Sequence, residues 1–241
     1  INQDGWPDIY VSNDYIANDI LYINNQDGTF TNKINDYFGH QSFSAMGNNA
    51  RDINNDGLTD LIAVDMLPEG NIRQKTMLSG NSYMDEKMRD YLGYQKQYTR
   101  NTLQLNNGKT PQGGLSFSEV GQLAGIFKTD WSWAPLLADF NNDTHKDLFV
   151  SNGFPRNILH LDYVQSRAQS QHMFGPQQNT KSKYELAREM PSLKVPNYMF
   201  KNEGGLRFSN KTQKWQMDQP ALSYGAAYGD LDNDGDLDLV V

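Results

Sequence analysis

An acidic nonapeptide that recurs four times constrains this chain more than any other feature. Its copies are Asn2-Gln-Asp-Gly-Trp-Pro-Asp8, Asp52-Ile-Asn-Asn-Asp-Gly-Leu-Thr-Asp60, Asp139-Phe-Asn-Asn-Asp-Thr-His-Lys-Asp147 and Asp230-Leu-Asp-Asn-Asp-Gly-Asp-Leu-Asp238. Asp stands at positions one, five and nine, Asp or Asn at three, and Gly at six. The first copy lacks its opening Asp because the chain starts at Ile1, and the third carries Thr144 where the others have Gly5, Gly57 and Gly235. A supersecondary unit repeated in this way cannot bury its apolar face alone and must stack on its neighbours.

The segments around each loop define the unit. A short apolar run follows each loop and reads as a buried strand: Ile9-Tyr-Val11, Leu61-Ile-Ala-Val64, Leu148-Phe-Val150 and Leu239-Val-Val241. Next comes a hairpin, with apolar alternation on either side of an Asn/Gly turn. It appears as Leu21 to Phe30, as Leu103-Gln-Leu-Asn-Asn-Gly108 running to Phe117, and as Tyr198 to Phe208. Small-residue segments precede each next loop: Ser44-Ala-Met-Gly47, Ser132-Trp-Ala-Pro135 and Ser223-Tyr-Gly-Ala226. Four short antiparallel strands per unit, repeated, predict an all-β fold of β-propeller blades. Residues 1–241 are expected to form part of one propeller, about three complete blades and the start of another.

Two insertions, about 66–101 and 153–196, separate a unit's first strand from its hairpin. Met84, Met88, Tyr91 and Leu92 fall at helical spacing, with Gly93 as a stop. Ser182-Lys-Tyr-Glu185 reads as a capping box opening a helix that Pro191 ends. Both excursions are expected on one rim, the face that repeat proteins often use for binding.

The loops have the chemistry of a calcium site. When such a loop curls, side chains at positions one, three and five converge, and the glycine lets the backbone turn. For the second copy the ligands are Asp52, Asn54, Asp56, the carbonyl of Leu58 and Asp60. In the same register the others offer Asn2, Asp4, Trp6 and Asp8; Asp139, Asn141, Asp143, His145 and Asp147; and Asp230, Asp232, Asp234, Asp236 and Asp238. An all-oxygen donor set favours Ca²⁺ over zinc or copper, so several structural calcium ions are expected. The fourth loop, the most acidic, is expected to bind most tightly. Thr144 resists positive φ, so the third loop is expected to be distorted, weaker or empty.

Composition excludes several classes. Asp and Glu number 29 against 21 Lys and Arg, a net charge of −8 with no basic cluster, which argues against nucleic acid as a partner. No apolar run approaches a membrane span, and the mean hydropathy of −0.72 agrees. The chain has no cysteine, which removes disulfides, thiolate metal sites and thiol nucleophiles. His40, His145, His160 and His172 are scattered without a partner motif, and Gly113-Gly114 and Gly204-Gly205 lack the context of a phosphate loop. Trp131 and Trp133 read as blade packing ahead of an exposed pair that stacks on sugar rings, and Tyr83, Tyr91, Tyr94 and Tyr98 either line a binding rim or anchor the first insertion.

The acidic loops, the Asn24-to-Phe30 turn and the small residues Gly47, Ala134 and Gly225 resemble the FG-GAP or VCBS repeat family, the calcium-loop propeller repeats shared with the head of integrin α subunits. Val64-Asp-Met-Leu-Pro68 and Thr129-Asp-Trp-Ser-Trp-Ala134 look most like large VCBS-repeat proteins of Bacteroidota and the cartilage acidic protein group. That resemblance implies a propeller of about seven blades, structural Ca²⁺, and a secreted or cell-surface location, outer-membrane associated in a bacterium. It also implies further blades on both sides of this segment. The expected function is a non-catalytic binding, adhesion or assembly module for a protein or glycan partner. The alternative is an enzyme scaffold such as a polysaccharide lyase.

Overall fold

The computed structural model describes residues 1–77, 82–165, 185, 188, 190 and 192–241. Each of the last three acidic loops is the turn between two antiparallel strands of one sheet, and the first leads into β1 (Ile9–Val11). The second loop joins β5 (Gly47–Arg51) to β6 (Asp60–Val64), and β8 (Thr102–Lys109) and β9 (Leu115–Glu119) complete a sheet ordered β5-β6-β8-β9. The third loop likewise joins β10 (Ser132–Ala138) to β11 (Asp147–Asn152), followed by β13 (Tyr198–Asn202) and β14 (Phe208–Asn210). A three-stranded sheet, β1 (Ile9–Val11), β2 (Ile20–Asn24) and β3 (Phe30–Asn32), precedes them. The pair β16 (Ala227–Gly229) and β17 (Asp238–Val240) follows. The three hairpins expected from sequence therefore form as antiparallel pairs. The strand before each loop belongs to the sheet that follows, so the structural unit is shifted by one strand from the sequence unit.

The core lies between sheets. Ile62, Val64 and Leu103 of one four-stranded sheet, with Ile53 of its loop, pack with Leu137, Leu148, Val150 and Phe200 of the other, and a second cluster joins Leu21, Ile34 and Phe38 to Leu61. β6 and β11 are buried along their whole length, as continuous apolar runs require when both faces are covered. Their counterparts differ from expectation: Ile9 is 45% and Val240 53% exposed. Among the described residues only the two inner sheets are flanked by a sheet on both sides, and the outer apolar runs each keep an open face. At the seam, Gly47 of β5 comes so close to β10 that a Cβ would lie 2.0 Å from the Trp133 carbonyl oxygen.

The first insertion contains α2 (Asn71–Thr76) and α3 (Tyr83–Tyr91), and β7 (Gln97–Tyr98) runs parallel to β4 (Gln41–Ser42). Arg73 clamps it to the next sheet by a two-pronged bond to Asp130, Nε to Oδ2 at 2.6 Å and Nη2 to Oδ1 at 2.9 Å. The Tyr198 hydroxyl donates to Glu69 at 2.8 Å. Met77 bridges His160, so the two insertions touch. α3 has the expected helix and a Ser82–Asp85 capping box. Its sidedness is the reverse of an anchoring helix: Met84, Met88, Tyr91 and Leu92 are exposed, and Arg89 is buried against the Phe43 ring at 5.1 Å. In the second insertion β12 (Val195–Pro196) pairs with β15 (Pro220–Ala221), while Ser182, Pro191 and His172 lie outside the described residues. Trp131 stacks on Phe154 at 4.1 Å, and Trp133 donates its indole N–H to the Gly153 carbonyl at 2.7 Å, so both indoles pack. Among the described residues no helix is long and apolar enough to cross a membrane.

Two predictions test this packing. Gly47→Ala should cost about 1–3 kcal/mol in urea unfolding because backbone must give way, whereas Gly39→Ala, with nothing near its Cβ position, should stay within about 0.5 kcal/mol. The second concerns Asp19, which accepts from the Asn13 amide and the Tyr10 hydroxyl and whose pKa burial raises to about 6. A carboxyl of ordinary pKa near 4 when unfolded binds its proton more tightly when folded, so its contribution to stability is full below about pH 4 and is lost as pH rises toward 6. Asp19→Asn should flatten that decline in unfolding measured across the pH series.

Candidate metal sites in the acidic loops

The loops share one geometry. The residue at position four has positive φ in every copy (Gln3 59°, Asn55 60°, Asn142 57°, Asn233 61°), and position six does too (Gly5 87°, Gly57 86°, Thr144 73°, Gly235 92°). Two left-handed residues curl the chain around its own side chains. In the second loop the Asp56 amide donates to Asp52 Oδ1 and to Asn54 Oδ1, both at 3.2 Å, the Gly57 amide to Asp52 Oδ2 at 2.8 Å, and the Leu58 amide to Asp56 Oδ1 at 2.7 Å. The third and fourth loops repeat these bonds, on Asp139, Asn141 and Asp143 and on Asp230, Asp232 and Asp234. In the first, Asn2 and Asp4 accept from the Asp4 and Trp6 amides. The expected distortion at Thr144 is absent: its amide reaches Asp139 Oδ2 at 2.8 Å, the same distance as at Gly57. The bonds to the Asp139 carboxylate hold the threonine in the left-handed region that its branched side chain disfavours.

The ninth residue ties the first three loops to the sheet. Asp60 accepts from the Ile53 amide at 2.9 Å and the Asn106 amide at 2.8 Å; Asp8 and Asp147 accept from Asn24 and Asn202 in the same way, and Asp238 from Leu231. Asp60 and Asp147 are fully buried, and burial first, then the charges at positions one and five, raises each pKa to about 6.

An asparagine after the loop, missed in the sequence reading of ligands, grips two loops at once. The Asn106 carboxamide donates to the carbonyls of Thr59 in its own loop and Ile1 in the preceding one; Asn202 does so to Lys146 and Ile53. Position four adds a second link from loop to loop. Gln3 donates to the Gly57 carbonyl, Asn55 to the Thr144 carbonyl at 3.1 Å, and Asn142 to the Asp236 carboxylate. The four loops thus form a continuous hydrogen-bonded row.

The donor set fits a hard divalent cation. Carboxylate oxygens of Asp230, Asp232 and Asp238 lie within 4.8 Å of one another, and Asp147 Oδ2 is buried without a hydrogen bond of normal geometry. Two side-chain oxygens share a single amide at position five of three loops, and in the fourth both are carboxylates, Asp230 and Asp232, an arrangement that like-charged groups tolerate poorly without a cation among them. Besides Thr144, the third loop has a second difference: Lys201 Nζ sits 2.9 Å from Asp143 Oδ2.

His40, Arg100 and Glu119 form a separate cluster under Tyr98, with Arg100 2.9 Å from His40 Nε2 and His40 3.2 Å from Glu119 Oε2. Glu119 Oε1 accepts from the Leu103 and Gly121 amides, so the cluster closes a strand end.

Asn106→Ala should destabilise the chain by about 1–3 kcal/mol, because it leaves the Thr59 and Ile1 carbonyls without their donor. Denaturant unfolding should return that loss equally in calcium and in chelator, since the asparagine side chain touches backbone only and its amide bond to Asp60 survives the substitution.

Residues 1–63 match the family model of the FG-GAP-like repeat, a stretch that holds the first two acidic loops and the sheet between them. No curated protein matches the chain.

Proposed function

We propose that this chain is a run of blades from a calcium-braced β-propeller of about seven blades, working outside the cell as a non-catalytic binding module for a protein or glycan partner. Residues 1–241 belong to one propeller in this reading, with the insertions at about 66–101 and 153–196 on its rim. Calcium is assigned to the four loops, through Asn2, Asp4, Trp6 and Asp8 in the first and the corresponding residues of the others. Support comes from the all-oxygen donors, the repeated left-handed positions and the repeat match over 1–63. Loops of this kind fill at roughly millimolar calcium, the level outside cells, which supports a location at a cell surface or in secretion. The segments at 64–68 and 129–134 extend the reading to kinship with the VCBS-repeat proteins of Bacteroidota and the cartilage acidic group, and to the outer membrane.

One observation carries the binding role. α3 turns Met84, Met88 and Tyr91 to solvent at 72%, 52% and 86% exposure while burying Arg89, so a rim helix displays the residue types that dominate recognition surfaces. A lyase would need free basic and tyrosyl groups about an open cleft. Among the described residues the nearest such cluster, His40 with Arg100, is instead bound to Glu119.

The double substitution Met88→Ser with Tyr91→Ser tests this face. Binding to an array of surface glycans and to immobilised cell-surface proteins, in calcium, should weaken about tenfold or more with an unchanged melting temperature. Unchanged binding, or turnover of uronic-acid polymers by the wild type, would overturn the proposal.

A further inference from the structure

The third loop differs from the others at two places that meet in space. Its sixth position is Thr144, and its fifth-position carboxylate, Asp143, pairs through Oδ2 with Lys201 Nζ at 2.9 Å. Lys201 precedes Asn202, the residue whose amide reaches the ninth-position Asp147. The same step back from Asn24 and from Asn106, which play that part in the first two units, gives Ile23 and Leu105. A basic residue therefore occupies a ladder position that is aliphatic in the other two units.

The oxygen it pairs with is the one that faces the loop interior elsewhere. Asp56 Oδ2 meets the Asn54 carboxamide at 2.8 Å, and Asp4 Oδ2 meets that of Asn2 at 3.0 Å. Asp143 Oδ1 is taken by the His145 amide, as Asp56 Oδ1 is by Leu58, so the orientation of the carboxylate is shared; Asn141 still bonds Asp143, and the lysine is added to that side. Lys201 and Asp143 each keep 29% of the side chain exposed, and the ammonium lies 3.9 Å from Glu203, which steadies it at the loop mouth.

Charge follows the same order. The second and third loops each carry three carboxylates at positions one, five and nine, and of these two the third, among the described residues, has a lysine ammonium paired with its fifth-position carboxylate. The fourth carries five carboxylates between Asp230 and Asp238. A lysine held on a strand has an effective concentration beside Asp143 that a free ion must overcome, and it leaves less net negative charge for that ion to neutralise.

We propose that Lys201 is a built-in cation for the third loop, standing where the other loops take calcium, so that this loop keeps its shape without metal. The inference rests on the calcium reading of the other loops. It makes one of the inter-blade links, Asn55 to the Thr144 carbonyl, independent of calcium supply.

Calorimetric titration of calcium into the chelator-stripped full chain, with wild type beside Lys201→Leu and Lys201→Arg, tests it. Lys201→Leu, which installs the residue found at 105, should bind one more calcium equivalent than wild type at about millimolar calcium. Its melting midpoint in chelator should fall by about 2–4 °C, and calcium should restore it. Lys201→Arg should keep the wild-type stoichiometry. Equal, non-zero stoichiometry in wild type and Lys201→Leu would overturn the role of Lys201 while leaving the calcium reading standing. A midpoint loss that calcium does not restore would assign Lys201 to ordinary packing and overturn it as well. Binding of no calcium by any of the three would overturn the calcium reading, and the proposal with it. If Lys201→Leu does not fold, Lys201→Met, which keeps the aliphatic stem, takes its place under the same outcomes.

Discussion

A buried carboxylate at the ninth position of the second and third loops joins pieces of chain that would otherwise have no reason to meet. Asp60 takes amides from Ile53 in its own loop and from Asn106 two strands later, and Asp147 takes that of Asn202. Removing such a group from water is unfavourable unless hydrogen bonds replace the hydration, and here backbone donors replace it. The same contact fixes the hairpin register, places Asn106 and Asn202 to grip the preceding loop, and so sets one sheet against the next. Strand pairing, seam packing and the curl of positions one to five all follow from that anchor.

The seams supply most of the apolar burial. β6 and β11 are covered on both faces, and Gly47 is small because the neighbouring strand's carbonyl occupies the space a side chain would need. The first insertion crosses a seam, with Arg73 on Asp130 and Glu69 on Tyr198, so it braces two sheets while leaving the apolar side of α3 free. A helix held by polar contacts and displaying methionine and tyrosine outward has given up packing energy that an inward stripe would have supplied. That arrangement makes sense if the outer stripe is used.

Much of this was legible in the sequence, and the exceptions have physical causes. The loops, the three hairpins and α3 with its stop at Gly93 follow from local pattern, because turn chemistry and periodicity act over a few residues. The phase of the unit did not follow, since whether the strand at Gly47 pairs backward or forward depends on contacts beyond the local segment. Ile9 and Val240 looked as buried as Ile62 and proved open, because burial depends on a neighbour that periodicity cannot reveal. Thr144 was expected to distort its loop; two bonds from Asp139 to the backbone hold it in place. Asn24, Asn106 and Asn202 stood at the same step of every hairpin and could have been singled out by aligning the units, whereas the pairing of Lys201 with Asp143 needed three dimensions.

The central claim is that the loop row is completed by calcium. Its most direct test is the melting midpoint of the chelator-stripped full chain followed against free calcium, with magnesium run in parallel. A ligand that binds only the folded state raises stability with the logarithm of its concentration once sites begin to fill. The account predicts such a rise in calcium, continuing into the millimolar range, and a much smaller one in magnesium, whose strict octahedral demand these flexible loops meet poorly. A midpoint that stays constant across the calcium series, or rises equally with both ions, would contradict it.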